Sequence, residues 1–99
     1  MKVSIILVNY NSSALLRQCL RSIYEQTKEI SFEIIVVDNA SSDNSREIVC
    51  SEFSNVQLIK SAENLGFSRG NNLGASLAKG TYLLFLNTDT ILFENSIKA

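Results

Sequence analysis

The sequence predicts an α/β fold, a parallel sheet of strand order 3-2-1-4 with helices on both faces. Three observations predict it. Residues 82–86, YLLFL, form an unbroken apolar run of five, with Gly80 before it and Asn87, Thr88 and Asp89 after it; a strand covered on both faces loses its alternation in this way. Strand-like and helix-like stretches alternate as β-α-β-α-β-α-β, and each connection is long enough for a crossover helix, the pattern of a parallel sheet. If strands one to three wind outward and the fourth returns beside the first, a crevice opens between strands one and four. The residues just past three strand ends, Tyr10, Asp38 and Asp89, then share one rim, where open α/β sheets bind ligands.

Residues 3–8, VSIILV, are β-branched-rich and read as the first strand. The polar turn Asn9, Tyr10, Asn11, Ser12 and Ser13 can cap a helix over 14–26, with Leu15, Leu16, Cys19, Leu20 and Ile23 inward and Arg17, Gln18, Arg21 and Glu25 outward. The second strand is 32–37, FEIIVV. Ser41 or Ser42 caps a second helix through about 53, whose inward stripe is Ile48, Val49 and Phe53, with Asp43 and Glu47 near its positive end. A short third strand, VQLI, covers 56–59. After the loop 60–67 a third helix runs from Ser68 to about Lys79, with Gly80 as its C-cap. Gly70, Gly74 and Ala78 share one face of it, and glycine in a helix interior costs about 1 kcal/mol relative to alanine. The backbone there is expected to approach a strand or a ligand closely. Residues 91–99 are apolar enough to begin another helix, and no cap or stop signal follows, so the chain is expected to be a fragment.

Composition narrows the function. Ninety-nine residues make one small domain or part of a larger one. With 45% apolar and 19% charged residues the chain is not of the disordered class. A net charge of −1 provides no pull toward nucleic acid or an anionic membrane. Cys19 and Cys50 lie in helical patterns without short spacing, which suggests buried reduced thiols. With no signal peptide or membrane-length apolar run, a cytoplasmic chain is expected. There is no histidine, which removes Ser-His-Asp and Cys-His nucleophile systems and His-based zinc sites. No GxxxxGK[ST] occurs, and no GxGxxG follows the first strand. Carboxylates, amides, hydroxyls, Arg and Lys remain to do chemistry.

Four stretches fall in a telling order: VSIILVNYN (3–11), VVDNASSDNS (36–45), NLGFSRGNNLG (64–74) and LLFLNTDT (83–90). With them the chain resembles the nucleotide-binding half of a family 2 glycosyltransferase of GT-A type, a Rossmann-like half-domain. The nearest flavour is the bacterial rhamnosyl- or galactosyl-type branch, of cell-envelope polysaccharide synthesis. The resemblance implies that Tyr10 stacks on the nucleotide base and that Asp38 accepts a hydrogen bond from it. It places Arg69 near the nucleotide, with Asn9, Asn11, Asn64, Asn71 and Asn72 able to bond ribose, base or a neighbouring loop. The family's DxD segment corresponds to Asn87, Thr88 and Asp89, which implies Asp89 as ligand to a divalent cation, Mg²⁺ or Mn²⁺, hard ions suited to oxygen donors. Asn87 departs from the pattern, bringing no charge where the family has its first aspartate. The implied reaction is inverting, metal-assisted transfer of a sugar from a UDP- or dTDP-type donor to a glycan or lipid-linked acceptor. The family's general base comes from the second half, expected beyond Ala99; Glu94 is the one later carboxylate in this chain. A fragment of this kind would bind donor without turning it over.

The rival reading is a non-catalytic flavodoxin- or receiver-like signalling module, which would also put an Asp after a strand. A receiver needs an acidic cluster after its first strand, where this chain has Asn9, Tyr10 and Asn11. Without an acceptor half, strand four and residues 91–97 would expose apolar surface, so a homo-oligomer through that surface is expected. For the whole protein a cytoplasmic or membrane-peripheral location is expected.

Overall fold

The structure is a computed structural model, in which residues 2–88 are described. The elements are β1 (Val3–Asn9), α1 (Ser13–Gln26), β2 (Phe32–Asn39), α2 (Ser45–Glu52), β3 (Gln57–Ser61), α3 (Gly66–Leu77) and β4 (Tyr82–Leu86). They build one four-stranded sheet of order β3-β2-β1-β4, every pairing parallel. The predicted order is the observed one. A flavodoxin-like sheet runs 2-1-3-4-5 and sets β3 against β1; here β3 pairs with β2, and β4 takes the other side of β1. The signalling-module reading is not favoured.

Strand alternation divides the interior into two layers. Val3, Ile5, Leu7, Ile34 and Val36 pack with Leu16, Cys19, Leu20 and Ile23 of α1 and with Ile48 and Val49 of α2. Ile6, Ile35 and Val37 face the other way, against Leu73, Ala75 and Ala78. Asn9 and Asp38 therefore belong to the α1/α2 side, and Val8 and Asn39 to the α3 side.

Two of the glycines of α3, Gly70 and Gly74, are explained by packing. A Cβ on Gly74 would lie 2.6 Å from Ile6 Cγ2, and one on Gly70 would lie 2.9 Å from Val8 Cγ1. Close approach to β1, rather than to a ligand, is what their positions require.

Several predicted boundaries and contacts are corrected. Leu15 is exposed, while Leu16, Cys19, Leu20 and Ile23 of the expected inward face are buried. Cys19 is buried as expected, but Cys50 is exposed. Helix α2 begins at Ser45, after an N-cap at Asn44, instead of following Ser41 or Ser42; Ser41 spends its hydroxyl on Asp38, and Asn11 Oδ1 accepts the amides of Ser42 and Asp43. Strand β3 starts one residue later and runs to Ser61, held by pairing with Asp38 and Asn39. Helix α3 starts at Gly66, whose φ of +78° suits glycine, and ends at Leu77 with Ala78 extended as its cap. Gly80 is not a left-handed cap. A Cβ there would meet the Ser4 amide nitrogen at 2.6 Å, and its own N–H donates to Ser4 Oγ. Strand β4 is the largest departure. Tyr82, Leu83 and Phe85 are 61%, 45% and 46% exposed, so among the described residues this run is covered on neither face throughout. Its one strand neighbour there is β1, and α3 packs over β1 and β2. The helix expected over residues 91–99, Glu94 included, lies outside the described residues.

Candidate functional site at the carboxyl rim of the sheet

Parallel pairing brings the carboxyl ends of all four strands to one edge. Asn9 lies opposite Asp38 in register, Asn39 opposite Ser61, and Leu7 opposite Leu86. Asn87 and Thr88 thus follow β4 beside the end of β1. The first turns of α3 reach the same edge, since Gly70 packs on Val8 and Asn39.

Asp38 is the electrostatic centre of this rim, and it is buried, 1% exposed. Its Oδ1 accepts from Asn9 Nδ2 (2.9 Å) and Ser41 Oγ (2.6 Å). Its Oδ2 accepts from the Ser41 amide (3.0 Å) and Arg46 Nε (2.6 Å). Burial pushes this carboxyl up, but the bonds from Ser41, Arg46 and Asn9 outweigh it and hold it below the ordinary aspartate range. All four of these bonds come from groups of the chain itself. Asn9 is likewise fully buried, its amide nitrogen donating to Asp38 and Ser41, while its Oδ1 has no partner.

The loops after β1 and β2 interlock above this pair. Asn11 sits at φ +48°; its amide donates to Ser41 Oγ, and its side-chain oxygen accepts from the Ser42 and Asp43 amides. Asp43 accepts from the Ser13 amide at the start of α1 and from the Ser45 amide and hydroxyl at the start of α2. One carboxylate thereby occupies the positive ends of two helices. Burial opposes its ionisation, yet the bonds from Ser45 and Ser13 prevail and lower its pKa. Tyr10 projects from the interlocked turn with half its surface exposed.

On the α3 side, Asn39 Nδ2 donates to the Gly66 carbonyl, and its Oδ1 accepts the Leu65 amide. Asn64 Oδ1 accepts the Gly66 amide, capping α3 from its own loop. Arg69 and Asn72 are exposed on the first turns of α3. Asn71 points an unpartnered, buried Oδ1 inward. Asn87 is exposed, its carbonyl 3.8 Å from Cys19 Sγ, and Thr88 is half-buried.

The rim thus gathers Asn9, Tyr10, Asn11, Asp38, Asn64, Arg69, Asn72, Asn87 and Thr88 from four strand ends and one helix start, but in two depths. Tyr10, Arg69, Asn72 and Asn87 face outward; Asn9 and Asp38 lie beneath. Asp89, the expected metal ligand, lies outside the described residues. Among the described residues no group of three His, Cys, Asp or Glu side chains is placed to hold a metal ion, and Asp38 has neither oxygen to spare.

Sequence reading missed Arg46, Asn39 and the two-helix role of Asp43. The signal for Asn39 was alternation: adjacent residues at a strand end face opposite layers, so Asp38 and Asn39 cannot serve the same one. The signal for Arg46 was a cation in the first turn of a helix, where the dipole disfavours it.

A cavity of about 330 Å³ lies elsewhere, between the last turns of α1 and α2, and is lined by Arg21, Tyr24, Glu52 and Phe53 among others. Helices run back along a parallel sheet, so this cavity belongs to the edge opposite the rim. No helix among the described residues is long and apolar enough to cross a membrane.

Comparison with known proteins agrees with this fold. The family model described as Glycosyl transferase family 2 matches residues 4–99. Glycosyltransferase GlyG of Streptococcus pneumoniae is 35% identical over 97% of this chain and 33% of its own length. A poly(ribitol-phosphate) beta-glucosyltransferase of Bacillus spizizenii is 39% identical over 98% of this chain and 16% of its own. S. aureus TarS 1-349 in complex with UDP superposes with a TM-score of 0.85 at 28% identity, over 99% of this chain and 30% of that one. The mannosyltransferase PcManGT of Pyrobaculum calidifontis, in complex with GDP-Man and Mn²⁺, shares the fold with a TM-score of 0.84 at 24% identity, over 96% of this chain and 29% of that one. The chain spans a third or less of the length of each of these proteins.

Proposed function

The chain belongs to glycosyl transferase family 2, and from that premise we propose that it supplies the nucleotide-sugar side of an inverting transferase. The donor is a UDP- or dTDP-type sugar nucleotide and the acceptor a glycan or lipid-linked hydroxyl, in bacterial envelope polysaccharide synthesis on the cytoplasmic side, free or membrane-peripheral. The supporting observation is an exposed aromatic ring, Tyr10, standing on a turn that a buried hydrogen-bond network holds in place, in a fold whose relative TarS binds UDP.

In this reading Tyr10 stacks on the base, a contact that tolerates any π-face and takes its specificity from neighbours. Arg69, Asn72 and Asn64 approach from the start of α3 toward base and ribose. Asn87 and Thr88 line the ribose and diphosphate side beside β1. Asn11, Asn9 and Asp38 act from below by fixing the turn under Tyr10. A divalent cation, held by Asp89 and the donor's own phosphates, would neutralise charge on the leaving diphosphate. The base that accepts the acceptor's proton is assigned to none of residues 2–88, and the acceptor-binding part is assigned to a further stretch of a longer polypeptide.

Thermal melting with UDP and Mn²⁺ tests this. A ligand bound only by the folded state stabilises it by about 2.7 kcal/mol at a hundred times its Kd, so the melting temperature should rise. Asp89→Ala should lose the Mn²⁺-dependent part of that rise. No shift at millimolar UDP would overturn the reading.

A further inference from the structure

We propose that Arg46 is a positioning residue of the nucleotide rim, whose guanidinium bridges the Asp38 carboxylate and the Ser61 carbonyl and so sets the loop that delivers Arg69. The inference rests on the donor-site reading above.

Arg46 is the second residue of α2, in a first turn whose free amides already carry positive charge. A cation there is disfavoured unless an anion answers it, and Asp38 does: Nε donates to Oδ2 at 2.6 Å, with Asp38 buried and Arg46 partly exposed. The same guanidinium donates from Nη2 to the Ser61 carbonyl at 2.8 Å. Asp38 lies near the tip of β2, and Ser61 is the last residue of β3. One planar group therefore ties two strand tips to a helix start. Ser61 opens the loop 62–65, whose far end Asn39 holds through Leu65 and Gly66. That loop feeds the first turn of α3. On its other oxygen Asp38 holds Ser41, which receives the amide of Asn11 under Tyr10. The Asp38–Arg46 pair is thus the junction between the turn carrying Tyr10 and the loop carrying Arg69.

Lysine cannot substitute for this. Its ammonium is a point charge on a flexible stem, whereas the bridge needs two donors at a fixed angle. The groups facing Asp38 are Asn9 from β1, Ser41 from the loop and Arg46 from α2; Lys60 is opposite in register on β3 and exposed.

The test compares wild type, Arg46→Lys and Arg46→Ala for UDP affinity on acidification from pH 8 to about 4, the upper edge of the range in which Asp38 takes up its proton, and for amide exchange over residues 62–66. Arg46→Lys is expected to melt near the wild-type temperature, to bind UDP about tenfold more weakly, the scale of one lost charge-assisted bond, and to exchange faster at 62–66. It keeps the wild-type pH profile, because a cation still faces Asp38. Arg46→Ala is expected to lose affinity at a higher pH than wild type does on acidification, since Asp38 takes up its proton more readily without the cation. Wild-type affinity and exchange in Arg46→Lys would overturn the proposal. If Arg46→Ala fails to fold, Arg46→Lys decides alone. If wild type does not bind UDP, the donor-site reading fails, and exchange at 62–66 in Arg46→Lys still shows whether the bridge sets the loop.

Discussion

Tyr10 and Asp38 belong to one hydrogen-bonded network, joined through Asn11 and Ser41, and divide its work. Tyr10 contributes little to folding because half its surface is wet, so Tyr10→Ala should leave the melting temperature nearly unchanged while weakening UDP binding roughly tenfold or more, the loss of a stacking contact worth about 1–3 kcal/mol. Calorimetric titration reads this directly. Asp38 behaves oppositely. Removing one partner of a buried pair leaves the other uncompensated, so Asp38→Asn should destabilise by about 3 kcal/mol in urea denaturation. Its folded pKa lies below the ordinary value of 3.8, as does that of Asp43. Both therefore add stability that is present above that value and lost as pH falls through their folded pKa values. The urea midpoint should stay nearly flat from about pH 8 to 5 and fall steeply below about 4, with a shallower acid limb in Asp38→Asn.

At the scale of elements, α3 sits close on β1 because its inner face has no side chains where they touch. Alanine at Gly74 would gain up to about 1 kcal/mol of helix propensity, but its Cβ would press Ile6 at 2.6 Å and Val37 at 3.3 Å. Overpacking of this kind costs about 1–3 kcal/mol, so Gly74→Ala should lower the melting temperature despite the better helix former. A rise would show that α3 can shift outward without loss. The crossover from α3 to β4 is anchored in a related way. Ser4 Oγ accepts the Gly80 amide and donates to Glu33, whose Oε2 also accepts the Lys79 amide. Gly80 thus follows α3 as a close-contact residue, which its position after an apolar helix could not distinguish from a cap.

Across the whole molecule, the described strands are covered unevenly. Strands β1 and β2 are buried on both faces, whereas Tyr82, Leu83 and Phe85 of β4 meet solvent. Apolar surface of this sort drives association. Sedimentation velocity should show concentration-dependent self-association, which Phe85→Lys suppresses; a monomer at millimolar concentration would count against it.

What the sequence determined by itself is the alternation of elements, the parallel sheet and its order, and which residues stand at strand ends. Those follow from local periodicity and from connections long enough to hold a crossover helix, and both are written in neighbouring residues. Tertiary structure alone decided the depth at which each polar side chain lies. Asp38 and Asn9 stand at strand ends in the sequence, and only the fold shows that they are buried and bonded to each other and to Ser41, with Arg46 on Asp38. Tyr82, Leu83 and Phe85 read like core until α3 is found over β1 and β2 instead. Burial and hydrogen-bond partnership are properties of pairs far apart in the chain, and periodicity within a strand carries no record of its partner.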